Sequence, residues 1–259
     1  MPRDAPSSAR PLLSCSLAAV VAGALLVSAP TVPSAYGSAA TAEEGPAGGA
    51  AVVISNLRTL SRWAYPRAAG AVHQHPSAGS RVVGRLRFLT PDGQAQVYLA
   101  LRSKAVEQAT WILVSVPARP NGITGWVPAS DLGELHVTRE YLRVNRETLR
   151  AVLYRDGRPV WAAPVGVGRP SAPTPAGHFY VTERLTPLGD PFYGPYALGT
   201  SAYSPTLSDW PGGGVVGIHG SDEPQLIPGR PSHGCIRLRN ADVTSLWRLI
   251  EIGTPIEIV

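Results

Sequence analysis

His219-Gly220 and, a short connection later, Ser232-His233-Gly234-Cys235-Ile236-Arg237 together hold the residue types that thiol chemistry needs. Cys235 is a sulfur nucleophile, His219 and His233 offer an imidazole to take its proton, and Gly220 and Gly234 let backbone N–H groups approach an oxyanion. A free thiol has a pKa of about 8.5, so at neutral pH it stays mostly protonated unless a neighbour intervenes. His233 stands two positions before Cys235, so on an extended segment both side chains share a face without having to meet. Gly217-Ile218-His219-Gly220 reads as the end of a strand, from which His219 can reach Cys235 across to a neighbouring strand. His219 is therefore the expected base, and His233 supports it in orientation or in the oxyanion pocket. The carbonyl of Gly220 is expected to hold the other ring nitrogen of His219. Gly234 removes bulk beside the sulfur, and the N–H groups of Gly234 and Cys235 are the expected oxyanion donors. Taken singly, a Cys is most often a small buried hydrophobe and a His a satisfied core or surface residue. One Cys and two His also match three zinc ligands, but no C-x-x-C pair accompanies them, and neither metal nor cofactor is expected.

The elements that must position this set read as β structure. A second all-β region starts near His136, with Tyr141–Val144 and Leu149–Tyr154 flanking Asn145-Arg146-Glu147-Thr148. Arg155-Asp156-Gly157-Arg158 turns the chain into Pro159–Val165. Residues 186–217 are rich in Gly, Pro, Tyr and Ser and too long for a plain hairpin, which marks a lid or binding loop. Tyr193, Tyr196, Tyr203 and Trp210 of that loop are candidates to line a cleft, and packing of the loop itself explains any one of them nearly as well. A short helix is expected from Asn240 or its neighbour, with Val243, Leu246, Trp247 and Ile250 on one face. Gly253-Thr254-Pro255 stops it, and Ile256–Val259 closes as a strand.

Upstream, residues 55–133 show short β-like runs separated by Pro91-Asp92-Gly93 and Pro120-Asn121-Gly122 turns. Trp63, Tyr65, Trp111 and Trp126 are expected in the core of this smaller domain. His73-Gln74-His75 alternates like a strand and is not taken as a metal site. The pattern break between Leu132 and His136 predicts that this region folds alone and is dispensable for chemistry. Residues 41–54 read as a linker, and 134–259 as the domain that carries the thiol.

At the N-terminus, Arg3 and Arg10, the apolar run Leu12–Val27 and small residues at Ser34-Ala35 and Ser38-Ala39-Ala40 read as an export signal over 1–40. The run, about 16 residues, is short for a bilayer span, so cleavage is favoured over a retained anchor. A lipidated cysteine would follow the run, whereas Cys15 sits at its start. Cleavage leaves Cys235 alone, and a lone thiol outside the membrane is either an accident or a reactive group. The net charge of +5 is carried almost wholly by arginine, with Lys104 the only lysine, and no basic run or aromatic–basic interleaving suggests nucleic acid.

The segment from His219-Gly220 through Ser232-His233-Gly234-Cys235-Ile236-Arg237 resembles the signature of the L,D-transpeptidase catalytic domain of YkuD type. Thr174-Pro175-Ala176-Gly177-His178-Phe179 resembles the T-P-x-G-x-F strand start of the same family. The likeness covers about half the chain, and Arg237 stands at a position where the family carries Arg or Asn. Gly125-Trp126-Val127-Pro128 followed by Ser130-Asp131-Leu132 resembles the end of a bacterial SH3-like barrel. These resemblances imply a mainly β fold, a sandwich or barrel with one short helix, preceded by a small SH3-like barrel. They imply acyl transfer on peptidoglycan stem peptides at the outer face of the membrane or in the wall. Cys235 would attack the carbonyl of a third-position diamino acid, release D-Ala, and pass the thioester to an amine of another stem as a 3→3 cross-link. Ser232, Arg237, Tyr203 and Trp210 would bind substrate, with Arg237 meeting either a substrate carboxylate or a structural acid such as Asp242. The protein would act as a monomer and be acylated by carbapenems. Transfer to water (an L,D-carboxypeptidase) or to a protein lysine uses the same residues, and a wall-binding module without chemistry is the reading from another class.

Overall fold

Alternation of buried and exposed residues, with turns at glycine, makes strands the main regular structure of the described residues. The computed structural model describes residues 49–186, 189–208 and 211–259. The expected export signal and most of the linker therefore lie outside the described residues.

The first eight strands are β1 (Val52–Val53), β2 (Ser61–Ala64), β3 (Ala71–His73), β4 (Val82–Arg85), β5 (Tyr98–Val106), β6 (Ala109–Ser115), β7 (Thr124–Pro128) and β8 (His136–Thr138). They form one sheet in the order β4-β3-β7-β6-β5-β2-β8, with β1 also on β5. Its core is aliphatic: Val72, Leu86, Ile112, Val114, Val127 and Leu132 enclose Tyr98. Of the aromatic residues expected there, Trp111 is buried and meets His73 edge-on at 5.8 Å, and Trp126 of β7 is partly buried, whereas Tyr65 is exposed and Trp63 faces the second sheet. The expectation of an SH3-like barrel rests on the sequence pattern at 125–132 alone.

Ten strands follow: β9 (Glu140–Asn145), β10 (Arg150–Arg155), β11 (Arg158–Pro164), β12 (Gly166–Gly168), β13 (Gly177–Leu185), β14 (Ala197–Thr200), β15 (Ile218–His219), β16 (Gly229–Ser232), β17 (Ile236–Arg237) and β18 (Pro255–Ile258). Their order is β11-β10-β9-β18-β13-β14-β15-β17-β12-β16. The α-helix α1 (Asn240–Leu249) buries Val243 and Leu246 against the sheet's aliphatic core. Asn240 is the first residue of α1 and Arg239 stands at the N-cap without a side-chain cap bond, so the cap expected from Asn240 is not formed.

The chain changes sheets at Arg139. His136–Thr138, read from sequence as the start of the second region, pairs with β2 instead. The two sheets also share apolar contacts. Tyr180 of β13 is fully buried with Val97 and Leu99, against Leu57, Trp63, Leu101 and Ile252, and its hydroxyl donates to the carbonyl of Val97 at 3.0 Å. The helix ends at Leu249 with Ile250 as its C-cap, before the expected stop at Gly253-Thr254-Pro255. Gly253, at φ +79°, turns the chain into β18, and a Cβ there would lie 2.0 Å from the Trp63 ring, so this glycine serves the turn and the contact between sheets together.

Candidate active site

The site grows from a parallel strand pair. In β15 and β17, Ile218 lies opposite Ile236 and His219 opposite Arg237. Both isoleucines are buried in the sheet's core. Side chains alternate along a strand, so Cys235, Arg237 and His219 are left on the other face. There they line one cleft of about 430 Å³ together with Phe192, Tyr193, Ser204, Leu207, Val215, Val216, Ser232, His233 and Gly234. The backbone ladder that fixes this register runs from Ile236 N–H to Gly217 C=O (2.9 Å) and from Leu238 N–H to His219 C=O (2.8 Å).

His219 is 3% exposed. Burial pushes its pKa down to about 4, and the Arg237 charge adds to this while the Gly220 carbonyl and Asp222 oppose it. The ring is therefore neutral at pH 7. Its Nδ1 lies 2.7 Å from the Gly220 carbonyl, which can only accept, so Nδ1 carries the proton and Nε2 the lone pair. The Tyr193 ring stands edge-on to the imidazole at 5.0 Å.

Cys235 is half-buried and has no disulfide partner among the described residues. Burial pushes its thiol above the ordinary value, against the Gly217 N–H, which donates to Sγ at 3.4 Å, and the charge of Arg237. Thiol and imidazole are thus both neutral at rest, a pairing suited to proton transfer during attack rather than a standing thiolate.

The loop bearing the sulfur is held from below. Gly234 sits at φ +128°, a backbone region open to glycine. Thr174 Oγ1, from the T-P-x-G-x-F segment, donates to the Gly234 carbonyl at 2.7 Å and accepts from Gly168 N–H at 2.8 Å. Ser232 Oγ donates to the Cys235 carbonyl and accepts from the Gly234 N–H at 3.1 Å. Two expectations change here. The Gly234 N–H is already engaged and is not a spare oxyanion donor, whereas the Cys235 N–H has no hydrogen-bond partner among the described residues. Ser232, 1% exposed, spends its hydroxyl on these two bonds and so holds the loop from the cleft wall.

Arg237 has a structural partner, though not the expected Asp242. Its guanidinium donates to Glu223 at 3.0 Å and lies 4.7 Å from the Phe192 ring centre, which fixes it beneath the cleft. His233 lines the cleft near Cys235, and burial, then Arg169 and Arg237, hold its pKa below the ordinary value. Tyr203 does not line the cleft. Its ring faces Arg119 at 4.7 Å and its backbone exchanges two bonds with Asn121. Tyr196 stacks on Trp247 at 4.8 Å, leaving Tyr193 as the lid tyrosine that reaches the site. Trp210 lies outside the described residues.

Sequence reasoning missed Phe192, Glu223 and Asn240. Asn240 Oδ1 accepts the Ser221 N–H at 3.0 Å and sits where Cβ atoms on Gly220 or Gly194 would be, so it buttresses the turn that carries the His219 acceptor. The tight G-x-N spacing between Gly220 and Asn240 in space has no counterpart in linear sequence, and no local signal marks it.

Comparison with known proteins agrees with this geometry. The family described as the L,D-transpeptidase catalytic domain, YkuD, matches residues 139–258. The YkuD protein of Bacillus licheniformis, named for an L,D-transpeptidase, is 36% identical over 115 residues, 44% of this chain and 61% of its own. Its Bacillus subtilis namesake is 36% identical over 37% of this chain and 51% of its own, so the chain spans only about half to three fifths of these relatives. The solved catalytic domain of the E. faecium L,D-transpeptidase is 30% identical over 46% of this chain and 95% of that domain, with a TM-score of 0.36. Residues 139–258, a little under half of the chain, thus match the L,D-transpeptidase catalytic-domain family.

Proposed function

We propose that this protein is a peptidoglycan L,D-transpeptidase that forms 3→3 cross-links through a thioester on Cys235. The observation that carries this reading is the buried, neutral His219, tied through Nδ1 to Gly220 and opening on the same cleft as Cys235. As Sγ attacks the carbonyl carbon of the third stem residue, its proton passes to His219 Nε2. The carbonyl oxygen becomes an oxyanion facing the Cys235 N–H. When the tetrahedral species collapses, the bond to the terminal D-Ala breaks and the imidazolium protonates the departing amine. The side-chain amine of a second stem then attacks the thioester, His219 takes the amine's proton, and the thiol is returned. A thioester conserves enough free energy for this aminolysis where no nucleotide is at hand. The aromatic edge of the cleft, Phe192 and Tyr193, shields the thioester from water.

The same chemistry predicts acylation of Cys235 by carbapenems. It places the protein outside the cytoplasmic membrane, consistent with the export-signal pattern; among the described residues no helix is long and apolar enough to cross a bilayer. Incubation with purified tetrapeptide muropeptides tests the reading through product masses. A 3→3 dimer with loss of D-Ala is expected. Tripeptide monomers alone would assign the acceptor as water, and unchanged muropeptides would overturn transpeptidation.

A further inference from the structure

One wall of the catalytic cleft is held not by its own sheet but by an arginine from the other one. Residues 204–208 and 213–214 form this wall, with Ser204, Leu207 and Gly214 lining the cleft. Ser204 N–H donates to the Gly214 carbonyl at 2.8 Å, and Ser204 Oγ accepts from Leu207 N–H at 3.1 Å. Three of its carbonyls point away from the cleft, and all three accept from Arg119, on the loop between β6 and β7. Arg119 Nη1 donates to Gly213 at 2.7 Å, and Nη2 to Leu207 at 2.6 Å and Ser204 at 3.2 Å. The guanidinium also covers the Tyr203 ring. Two residues on, Asn121 clamps the start of the same wall, accepting the Tyr203 N–H at 2.9 Å and donating to its carbonyl at 2.8 Å. Gly214 shows how closely this is fitted: at φ +77°, a Cβ would meet Arg119 Nη2 at 2.6 Å and the Leu207 carbonyl at 2.0 Å.

We infer that Arg119 and Asn121 are positioning residues of the active site, through which the first sheet sets the width of the donor cleft. A planar guanidinium meets carbonyls on separate turns of chain in a way a lysine ammonium cannot reproduce. Ser204 transmits the placement, since its side chain packs 3.8 Å from the position of a Cβ on Gly234, beside the sulfur. A wall displaced by about 1 Å costs reactivity out of proportion to stability, because the donor must be held in line with Sγ. This inference rests on the transpeptidase reading for its substrate, but the holding of the wall does not.

Arg119→Ala, Arg119→Lys and Asn121→Ala in the whole protein test it with three readouts. Amide hydrogen exchange should rise across 203–214 in Arg119→Ala and Asn121→Ala, while the β13–β15 and β17 strands keep their protection. Acylation of Cys235 by a carbapenem or a donor tetrapeptide should fall about tenfold or more in Arg119→Ala, with Arg119→Lys giving little rescue. Alkylation by iodoacetamide, too small to need the wall, should keep its rate and pH profile. Unchanged exchange over 203–214, or acylation at the wild-type rate, would overturn the inference. A parallel loss of alkylation and of strand protection in Arg119→Ala and Asn121→Ala would assign them to the general fold instead. If the wild-type protein were inert to the tetrapeptide, the transpeptidase reading would fail while the exchange result still decides the inference.

Discussion

The two histidines beside Cys235 differ in what surrounds them, and that difference decides their roles. His219 is buried, tautomerically fixed by Gly220, and neutral over the physiological range. Replacing it by Ala should slow acylation about 10²-fold, the usual span for loss of a general base. Its low pKa also makes a stability prediction. The unfolded imidazole takes a proton at about 6.5 and the folded one only at about 4. The unfolded state therefore binds more protons within this window, and stability falls as pH drops from about 6.5 towards about 4. The full effect is about 3 kcal/mol, to which the lowered pKa of His233 adds in the same direction. Urea unfolding at pH 7 and pH 5 should show this loss in wild type and a much smaller one in His219→Gln; equal losses in both would place the proton elsewhere. Cys235, by contrast, should be chemically indispensable and structurally silent. Cys235→Ala is expected to unfold at the wild-type temperature within a few degrees and to show no acyl adduct, and Cys235→Ser to be nearly as inactive because a hydroxyl is far harder to ionise. These residues were legible in sequence because thiol chemistry restricts which residue types suffice. The use of Ser232 was not, since a serine hydroxyl both donates and accepts and its spacing does not say to whom.

Among the elements, the parallel pairing of β15 with β17 converts a linear motif into a site. Sequence reading placed His219 at a strand end but had no means to find Gly217 opposite the sulfur, because parallel register is set by distant strands. The T-P-x-G-x-F segment is instructive in the same way. Its threonine lies 60 residues from Gly234 and yet fixes that carbonyl while capping the Gly168 N–H. Thr174→Val keeps the volume and orphans both groups in a buried place, at a cost of about 2–4 kcal/mol. It should also disorder the Cys235 loop, so alkylation and acylation fall together, while Thr174→Ser restores both. Loss of stability with unchanged acylation would confine Thr174 to the fold. The segment expected to be an irregular lid instead contributes the buried strand β14 to the middle of the sheet, and its tyrosines point three ways: Tyr193 to the cleft, Tyr196 to α1 and Tyr203 to the first sheet. Aromatic content alone carries no direction, which is why Tyr203 was expected at the substrate.

At the scale of the molecule, the pattern break near residues 132–136 suggested a dispensable first region. In the structure it shares with the second sheet a small apolar cluster, Val97, Leu99 and Trp63 around Tyr180. Tyr180, with Trp63 over Gly253, lies between the sheets, and a fully buried side chain of this size contributes about 2–3 kcal/mol. Residues 134–259 alone would expose these surfaces and lose the β8–β2 pairing. The fragment is expected to melt well below the whole protein, or to lack a cooperative transition, in differential scanning calorimetry. A melting temperature matching that of the whole chain would show that the sheets are energetically independent. Sequence patterns reveal strands, but the side of a strand that meets another sheet is invisible when both faces are apolar, as at Val97-Tyr98-Leu99.

The central claim, a Cys235 thioester drawn from a stem peptide, is tested most directly by intact-protein and peptide mass spectrometry after brief exposure to a tetrapeptide donor. A mass gain equal to the donor less its terminal D-Ala, mapped to Cys235 and absent in Cys235→Ala, is expected. A folded wild-type protein that gains no mass, or gains it at another residue, would contradict it.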